Sequence, residues 1–308
     1  MKTAFLFPGQ GSQFAGMGKS LADQFPAAAR CFEEADEALG FSLSKICFEG
    51  PDEVLRQTEF QQPALLAVST AAFRVLSAEI GEPQYVAGHS LGESSALVAA
   101  GSLDFAAALR FVNKRGRYMQ EAVAEGVGAM AALLKLPEGK LDEILVEAAQ
   151  GEVLAPAGFN SPDQIVIAGN RGAVERAMEL AKAAGARRAK ELPVSAPFHC
   201  PLMCAAQDRL RPELDSMVFA DLRIPLINNW QAREVRTGDD AREGLYQQVP
   251  NPVRWTQTIE YLAASGVEGW FEVGAGKVLS GLVRTILPGA RCTPFGEAAD
   301  LANLQAGV

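Results

Sequence analysis

The stretch AGHSLGESSALVAAG, residues 87–101, carries the pattern G-x-S-x-G around Ser90. This pattern is typical of a sharp strand-to-helix turn that presents a serine as a nucleophile. The apolar segment Tyr85–Gly88 before it predicts a short buried strand, and the Ala-rich segment 91–100 after it predicts a helix. The free N–H groups at the start of that helix would face the serine. We therefore predict a nucleophilic serine, with a purely structural Gly-Ser turn as the alternative.

The order of the predicted elements around this turn indicates the fold class. Strands alternate with helices on both sides of the chain's middle, with long helical patterns at 63–80 and 104–125, which favours a mainly parallel sheet covered on both faces. Residues 126–195 instead give the order β-α-β-β-α-β, that of the ferredoxin-like unit. We predict an α/β fold with a discontinuous core, 1–125 and 196–308, and a ferredoxin-like subdomain at 126–195.

Composition and charge exclude several classes of protein. The chain has 308 residues, of which 48% are hydrophobic and 21% charged, as in an ordinary globular protein. A net charge of −9 argues against general binding to nucleic acid or to an anionic membrane, because phosphate contacts need a basic surface. No uninterrupted apolar run approaches the roughly 18 residues of a membrane span. The N-terminal apolar segment breaks at Pro8, too early for a signal peptide.

The cysteines suggest a reducing compartment and no metal site. Their number is odd, they are scattered, and they include no C-x-x-C pair. His199, Cys200 and Cys204 form a loose H-C-x-x-x-C spacing, but no second ligand pair follows it. We expect a cytoplasmic protein without a bound metal.

Two glycine-rich loops fail the templates for nucleotide binding. In GQGSQFAGMGKS, a Walker loop ending at Lys19 and Ser20 has Gln13 where it needs glycine, and a dinucleotide fingerprint from Gly9 has Phe14 where it needs glycine. The loop VGAGKV near residue 275 fails in a similar way. We expect no nucleotide cofactor.

A serine needs a base to act as a nucleophile, and the chain has only two histidines. His89 adjoins Ser90, and adjacent side chains on an extended turn point apart. His199 is therefore the candidate base. Hydrolase triads usually add a carboxylate that orients the histidine. No acidic residue lies close to His199 in sequence, so Asp208, another acid brought in by the fold, a backbone carbonyl or an amide remain open for that task.

Arg115 occupies an unusual position in the predicted helix at 104–125. Its neighbours three and four residues away are apolar, whereas the other basic residues follow a separate polar stripe. A guanidinium keeps its charge and is costly to bury unpaired. It needs a carboxylate, from the protein or from a ligand, and both remain open. Its planar fork would suit an acyl group that ends in a free carboxylate.

Together these segments resemble the malonyl-CoA:acyl-carrier-protein transacylases of fatty-acid biosynthesis over nearly the whole chain. The motifs that carry the resemblance are, in order, FLFPGQGSQ, QPALLAVS, AGHSLGESSALVAAG, KRGRYMQEA, GAMAALL, FNSPDQIVIAG, PVSAPFHCPLM, NPVRWTQTIEYL and EVGAGKVLSGL. The resemblance implies an α/β-hydrolase-like core with an inserted ferredoxin-like subdomain. It implies transfer of a malonyl group from malonyl-CoA to the phosphopantetheine thiol of acyl carrier protein, by a ping-pong mechanism through a malonyl-serine, without a metal or redox cofactor.

The resemblance also implies roles for individual residues. Ser90 matches the acylated nucleophile, His199 its base, and Arg115 the arginine that binds the malonyl carboxylate. Gln248 matches the residue whose backbone carbonyl orients the histidine, which would account for the missing acid.

Four further positions match the surroundings of the nucleophile. The backbone N–H groups of Gln10 and Leu91 match the oxyanion hole. Asn160 matches a residue of the acyl pocket, and Phe198 resembles the bulky residue that disfavours methylmalonyl groups. Ser94 departs from the pattern, because an aromatic residue often stands there, and this could alter the mouth of the pocket.

The expected partners are malonyl-CoA and an acidic carrier protein, and we expect a monomer. Docking an acidic carrier needs a local basic patch, for which Arg187, Arg188 and Lys190 are candidates; a solvated strand edge is the other interpretation of these charges. Three alternative functions stay open. They are an acyltransferase that serves a polyketide synthase, a serine esterase or thioesterase, and a catalytically silent scaffold.

Overall fold

A computed structural model of the chain describes residues 1–305. In this range the strands are, in chain order, β1 (Lys2–Phe7), β2 (Tyr85–Gly88), β3 (Gly128–Leu134), β4 (Leu154–Ser161), β5 (Gln164–Asn170), β6 (Arg188–Glu191), β7 (Leu226–Ile227), β8 (Glu234–Val235), β9 (Val267–Val273) and β10 (Cys292–Phe295).

The helices of the same range follow in chain order. They are α1 (Lys19–Gln24), α2 (Pro26–Leu39), α3 (Leu43–Glu49), α4 (Asp52–Leu55), α5 (Thr58–Ile80), α6 (Leu91–Ala99), α7 (Phe105–Glu121), α8 (Lys140–Ala149), α9 (Arg171–Ala183), α10 (Cys204–Ser216), α11 (Gly238–Gln248), α12 (Trp255–Ala264), α13 (Val278–Ile286) and α14 (Ala299–Gln305).

The larger sheet has six strands in the spatial order β10-β9-β1-β2-β7-β8, all parallel except the β7–β8 pair. Side chains alternate between the two faces of a strand. In β1, Phe5 and Phe7 therefore pack into the core beneath α5, whereas Ala4 and Leu6 pack into a second core with α12 and α13. Helices thus cover both faces of the sheet, as the alternation of strands and helices predicted.

The smaller sheet has four antiparallel strands in the order β4-β5-β3-β6. In β3, Ala131 and Leu133 pack against α8 and α9, whereas Met130 and Ala132 join the core of the larger body. The expectation of an α/β fold is confirmed as a mixed α/β fold with two sheets.

Helix α5 begins five residues earlier than the pattern predicted, with Pro63 inside it. A proline in a helix interior leaves the carbonyl one turn before it without an N–H partner. Here the carbonyl of Glu59 accepts a hydrogen bond of 2.8 Å from the Asn113 side chain of α7. The neighbouring helix supplies the missing donor, so the helix continues through the proline.

Helix α5 is long and mainly apolar, although polar residues interrupt its apolar run. By length and composition alone it is apolar enough to cross a membrane, with a mean hydropathy of 1.3 over its most apolar window. Of its most apolar window, 67% is buried inside the fold. That burial is typical of a core helix.

Candidate active site

Ser90 lies at the turn between β2 and α6, at the carboxyl end of the parallel strands. Its backbone has φ 53° and ψ −109°, a conformation that costs a non-glycine residue about 1–3 kcal/mol. The flanking glycines allow this turn to pack closely. A Cβ at Gly88 would lie 1.9 Å from the carbonyl oxygen of Gly92, and one at Gly92 would lie 2.1 Å from that of Phe7. The G-x-S-x-G spacing is therefore a steric requirement of this elbow.

Asn229 holds the elbow on both sides of the serine. Its Oδ1 accepts a 2.7 Å hydrogen bond from the Ser90 N–H, and its Nδ2 donates one of 2.6 Å to the Gly88 carbonyl. The sequence reasoning missed this residue. A usable signal was present, because Asn229 closely follows the buried strand β7, and the carboxyl ends of neighbouring parallel strands meet at one edge of the sheet.

His199 is positioned as the partner of the serine hydroxyl. Its Nε2 lies 2.7 Å from Ser90 Oγ, and its Nδ1 lies 2.9 Å from the backbone carbonyl oxygen of Gln248. A carbonyl only accepts hydrogen bonds, so Nδ1 carries the proton and Nε2 turns its lone pair toward the hydroxyl. Among the candidates for orienting His199, the group in contact with Nδ1 is thus a backbone carbonyl. Asp208, another candidate, lies exposed on α10.

The imidazole of His199 is neutral at pH 7. Burial, and secondly the nearby charge of Arg115, lower its pKa from 6.5 to about 3. A neutral imidazole in this tautomer can accept the serine proton.

Arg115 is 2% exposed and points into the same site. Its Nη1 donates to Gln62 Oε1 and its Nη2 to Gln248 Oε1, both at 2.8 Å. Its Nη2 also lies 3.4 Å from Ser90 Oγ. Burial lowers its pKa to about 10, so the guanidinium remains charged at neutral pH. The two short hydrogen bonds go to neutral amides, and the positive charge therefore has no carboxylate in contact within residues 1–305.

Glu93 is a further buried ionisable group, and the sequence reasoning missed it. Its Oε2 accepts hydrogen bonds from the Asn229 N–H at 2.9 Å and from Gln248 Nε2 at 2.8 Å. Burial raises its pKa to about 7, although the Asn229 and Gln248 hydrogen bonds and the Arg115 charge act in the opposite direction. Its signal in the sequence was a lone acid in an otherwise apolar and small-residue helix.

Ser90, His199 and Arg115 line a cavity of about 150 Å³ between the two sheets. The larger body and the smaller sheet both contribute to its wall, which is formed by Gln10, Gln62, His89, Ser90, Arg115, Met119, Met130, Ala157, Gly158, Asn160, Val166, Leu192, Val194, Phe198 and His199. The predicted pocket residues Phe198 and Asn160 both line it. Asn160 Oδ1 also accepts a 2.8 Å hydrogen bond from His89 Nε2, so His89 is engaged away from the serine.

The two predicted oxyanion-hole residues, Gln10 and Leu91, both lie near Ser90. Gln10 lines the cavity, and Leu91 is the first residue of α6. Neither backbone N–H donates to a protein acceptor within the part of the chain that the structure describes. Both are therefore available to a bound oxygen.

Two residues of the H-C-x-x-x-C spacing, His199 and Cys200, make hydrogen bonds within the protein. Both ring nitrogens of His199 are engaged, and Cys200 Sγ donates to the Pro197 carbonyl at 3.1 Å. Residues 1–305 contain no group of three or more His, Cys, Asp or Glu side chains placed to hold a metal ion.

This arrangement can perform serine-based acyl transfer. A serine hydroxyl, a neutral imidazole and free N–H groups are the parts that such chemistry needs. The buried guanidinium adds a site for an anionic group beside the nucleophile.

Comparison with known proteins gives the same result. Residues 4–291 match the family described as acyl transferase domain. The chain is 48% identical over 300 residues to a malonyl CoA-acyl carrier protein transacylase of Escherichia coli K12, covering 97% of each chain. A crystal structure of an acyl carrier protein S-malonyltransferase from Vibrio cholerae is similar with a TM-score of 0.96 and 45% identity, covering 99% of this chain and 100% of that one.

A third relative is known in complex with a partner. It is a malonyl-transacylase bound to its type II polyketide synthase acyl-carrier protein, with a TM-score of 0.96 and 44% identity over the whole of both chains. Family, sequence and structure thus agree with one another. The chain belongs to the acyl transferase domain family and, within it, to the malonyl-CoA:acyl-carrier-protein transacylases.

Proposed function

We infer that this chain is an acyltransferase that moves a malonyl group from malonyl-CoA to the phosphopantetheine thiol of an acyl carrier protein. One observation carries the assignment. Ser90 Oγ lies 2.7 Å from a neutral imidazole nitrogen and 3.4 Å from a buried guanidinium nitrogen, inside a cavity. The imidazole supports acylation of the serine, and the guanidinium supports an acyl group that carries a carboxylate.

In the first half-reaction, Ser90 Oγ attacks the thioester carbonyl of malonyl-CoA while His199 Nε2 takes the hydroxyl proton. The N–H groups of Gln10 and Leu91 stabilise the oxyanion of the tetrahedral intermediate, and such a donor contributes about 10²–10³-fold to the rate. When the intermediate collapses, the C–S bond breaks and His199 gives its proton to the departing CoA thiolate. The product is a malonyl ester of Ser90.

In the second half-reaction the phosphopantetheine thiol of the carrier takes the place of CoA. His199 removes the thiol proton, the sulfur attacks the ester carbonyl, and the C–O bond to Ser90 breaks. The proton returns from His199 to Ser90 Oγ, which restores the enzyme. The two substrates use one site in turn, as a ping-pong mechanism requires.

Arg115 supports the choice of a malonyl group over an acetyl group. A buried cation without a carboxylate in contact pays a desolvation cost that an anionic ligand relieves. The amides of Gln62 and Gln248 hold the guanidinium in place without neutralising it. The free carboxylate of a malonyl group would complete the charge pair.

The remaining wall of the cavity supports a small acyl group. We propose that Phe198 and Asn160 belong to the acyl pocket, with the Phe198 ring disfavouring the branched methylmalonyl group. Excluding one methyl group is worth about 1–3 kcal/mol, so this selectivity is expected to be partial.

We propose that the carrier docks on a basic groove beside the smaller sheet. Arg187, Arg188 and Lys190 are all exposed on or next to the edge strand β6. Arg187 and Arg188 line an open groove with Lys135 and with residues of α13, among them the half-exposed Val278. A basic groove with an apolar edge suits an acidic carrier helix. The interpretation of these charges as a solvated strand edge predicts no loss of transfer on charge reversal.

The biosynthetic pathway that uses the malonyl-carrier is a separate proposal. We propose fatty-acid biosynthesis, with service to a polyketide synthase as the alternative that the carrier-bound relative favours. Comparing transfer rates to holo-carriers of the two pathways separates them.

We further propose the finer organisation of the fold and its setting. The strand order and antiparallel pairing of the smaller sheet support a ferredoxin-like subdomain at 126–195. The parallel sheet with its serine elbow supports an α/β-hydrolase-like core built from 1–125 and 196–308. We propose a cytoplasmic monomer that needs no cofactor, and light scattering of the purified protein tests its oligomeric state.

Peptide mapping after incubation with malonyl-CoA tests the assignment. We expect a malonyl group on the peptide that contains Ser90, and none in the Ser90→Ala variant. Labelling of His199→Ala should be slower by about 10²–10⁴-fold, the contribution of a positioned base. A malonyl group on another residue would contradict the assignment, as would undiminished labelling of Ser90→Ala.

A further inference from the structure

The reaction described above assigns no role to Glu93. It lies three residues after Ser90 on α6 and is 1% exposed. Burying a carboxylate is costly unless hydrogen bonds compensate it. Glu93 accepts hydrogen bonds from the backbone N–H of Asn229 and from the side-chain amide of Gln248. Both partners belong to the segments that hold the proposed catalytic groups.

Gln248 is the residue through which these groups are connected. Its backbone carbonyl accepts from His199 Nδ1, and its side-chain Oε1 accepts from Arg115 Nη2. Its Nε2 donates to Glu93 and, at 3.1 Å, to the carbonyl of Ser90. One glutamine thus touches the base, the nucleophile's backbone and the guanidinium.

The orientation of the Gln248 amide is fixed by its two charged neighbours. Above its pKa of about 7 Glu93 is ionised and only accepts hydrogen bonds, and a guanidinium only donates them. With the amide as it stands, the NH₂ group faces Glu93 and the oxygen faces Arg115. The flipped amide would set acceptor against acceptor at Glu93 and donor against donor at Arg115. Glu93, together with the Ser90 carbonyl, therefore turns the oxygen of the Gln248 amide toward Arg115.

The same arrangement separates the two charges by one amide. A carboxylate in direct contact with Arg115 would occupy the N–H groups that an acyl carboxylate needs. Glu93 is the carboxylate whose charge acts on Arg115, raising its pKa against the effect of burial. It thus supports the positive charge without competing for the donors.

We propose that Glu93 is a positioning residue, which acts through the Gln248 side chain to hold Arg115 ready for the carboxylate of the acyl group and so sets the preference for acidic acyl groups. The inference rests on the proposed function. It predicts an effect of Glu93 on malonyl loading that is absent from acetyl loading.

The decisive readout is the ratio of kcat/KM for malonyl-CoA to that for acetyl-CoA in loading Ser90. In Glu93→Met, which keeps the side-chain volume and lacks an acceptor, we expect this ratio to fall by about 10–100-fold, the effect of a lost hydrogen bond to a charged group. Glu93→Gln keeps an oxygen acceptor for both partners and should restore most of the ratio. The matched control is Ser95→Ala on the same helix, because the buried Ser95 hydroxyl has no hydrogen-bond partner among residues 1–305. Its ratio should match that of the wild type.

A double-mutant cycle separates positioning from general damage to the fold. In an Arg115→Ala background, Glu93→Met should change the malonyl-to-acetyl ratio by less than about twofold, because the group through which it acts is gone. If Glu93→Met does not fold, Gln248→Met interrupts the same contact and keeps the backbone carbonyl for His199, and it should lower the ratio in the same way.

Two results would overturn the proposal. One is a folded Glu93→Met, or failing that Gln248→Met, with an unchanged ratio. The other is an equal fall in the ratio with and without Arg115. Failure of the proposed function has a separate signature, since the wild-type protein itself would then not carry a malonyl group on Ser90.

Discussion

Replacing Asn229 by alanine removes the clamp on the serine elbow and gives the most informative stability measurement. The variant loses hydrogen bonds of 2.7 Å to the Ser90 N–H and 2.6 Å to the Gly88 carbonyl. This leaves a buried carbonyl and a partly buried N–H group unpaired, each at a cost of about 1–3 kcal/mol. We therefore expect the free energy of unfolding to fall by about 2–6 kcal/mol, summed over the two groups.

The same substitution should slow acylation more than the loss of stability explains. Ser90 is held at φ 53°, and without the clamp the turn can relax from this strained conformation. A displacement of about 1 Å at a reacting group can lower the rate by about 10²-fold. Urea unfolding gives the stability, and rapid-quench mass spectrometry of the first malonylation turnover, at a temperature where the variant is folded, gives the rate.

Asn228→Ala is the matched control for this prediction. Asn228 is equally buried and adjacent, but its Oδ1 accepts from the backbone N–H groups of Gln231 and Arg233, at 3.2 and 3.3 Å, in a turn that leads away from the serine. It should lose stability and keep the wild-type acylation rate. If Asn229→Ala acylates at the wild-type rate, or if both variants slow equally, the clamp does not position the nucleophile.

Three further predictions concern charge and backbone packing. Arg115→Ala should lower the rate of malonyl loading by about 10²-fold or more, because a charge-assisted contact is lost, while acetyl loading is kept or improved. An unchanged preference for malonyl would contradict the assignment of Arg115 to carboxylate binding. The pKa of Glu93 is about 7 in the folded protein and 4.5 in the unfolded chain. Its ionisation therefore lowers the free energy of unfolding by about 3 kcal/mol as the pH rises between these values. Urea unfolding should therefore show Glu93→Gln gaining stability over the wild type between pH 4.5 and pH 8, and an equal difference at both pH values would contradict this. Gly88→Ala would place its Cβ 1.9 Å from a backbone oxygen and should prevent folding. Gly281→Ala in α13, where the Cβ meets open space, should instead raise the free energy of unfolding by about 1 kcal/mol. Circular dichroism and thermal unfolding measure both effects, and a folded Gly88→Ala would contradict the steric argument.

The sequence predicted the features that depend on local spacing. The glycines around Ser90 indicated the elbow, because the steric requirement lies within five residues. The apolar neighbours of Arg115 at three and four residues placed it on the buried face of α7, where it is 2% exposed. The order of elements indicated a mixed α/β fold with two sheets. The resemblance to a family then supplied the acyl group and its acceptor.

The features that local spacing did not reveal depend on contacts between distant segments. Any residue has a backbone carbonyl, so no side chain in the sequence marks Gln248 as the partner of His199, 49 residues away. The start of α5 before Pro63 depends on Asn113, which is 54 residues from the carbonyl it satisfies. Glu93 and Asn229 acquire their contacts only when β2 and β7 lie side by side in the sheet.

The central claim is that the Ser90 ester delivers its malonyl group to a carrier thiol. The most direct test is to prepare the malonyl-enzyme, remove all CoA, and mix it with holo-carrier protein while intact masses are followed. The account predicts that the malonyl mass leaves the enzyme and appears on the carrier, faster than free malonate forms when no carrier is added. Release of malonate at the same rate with and without the carrier, and no malonyl-carrier, would contradict it.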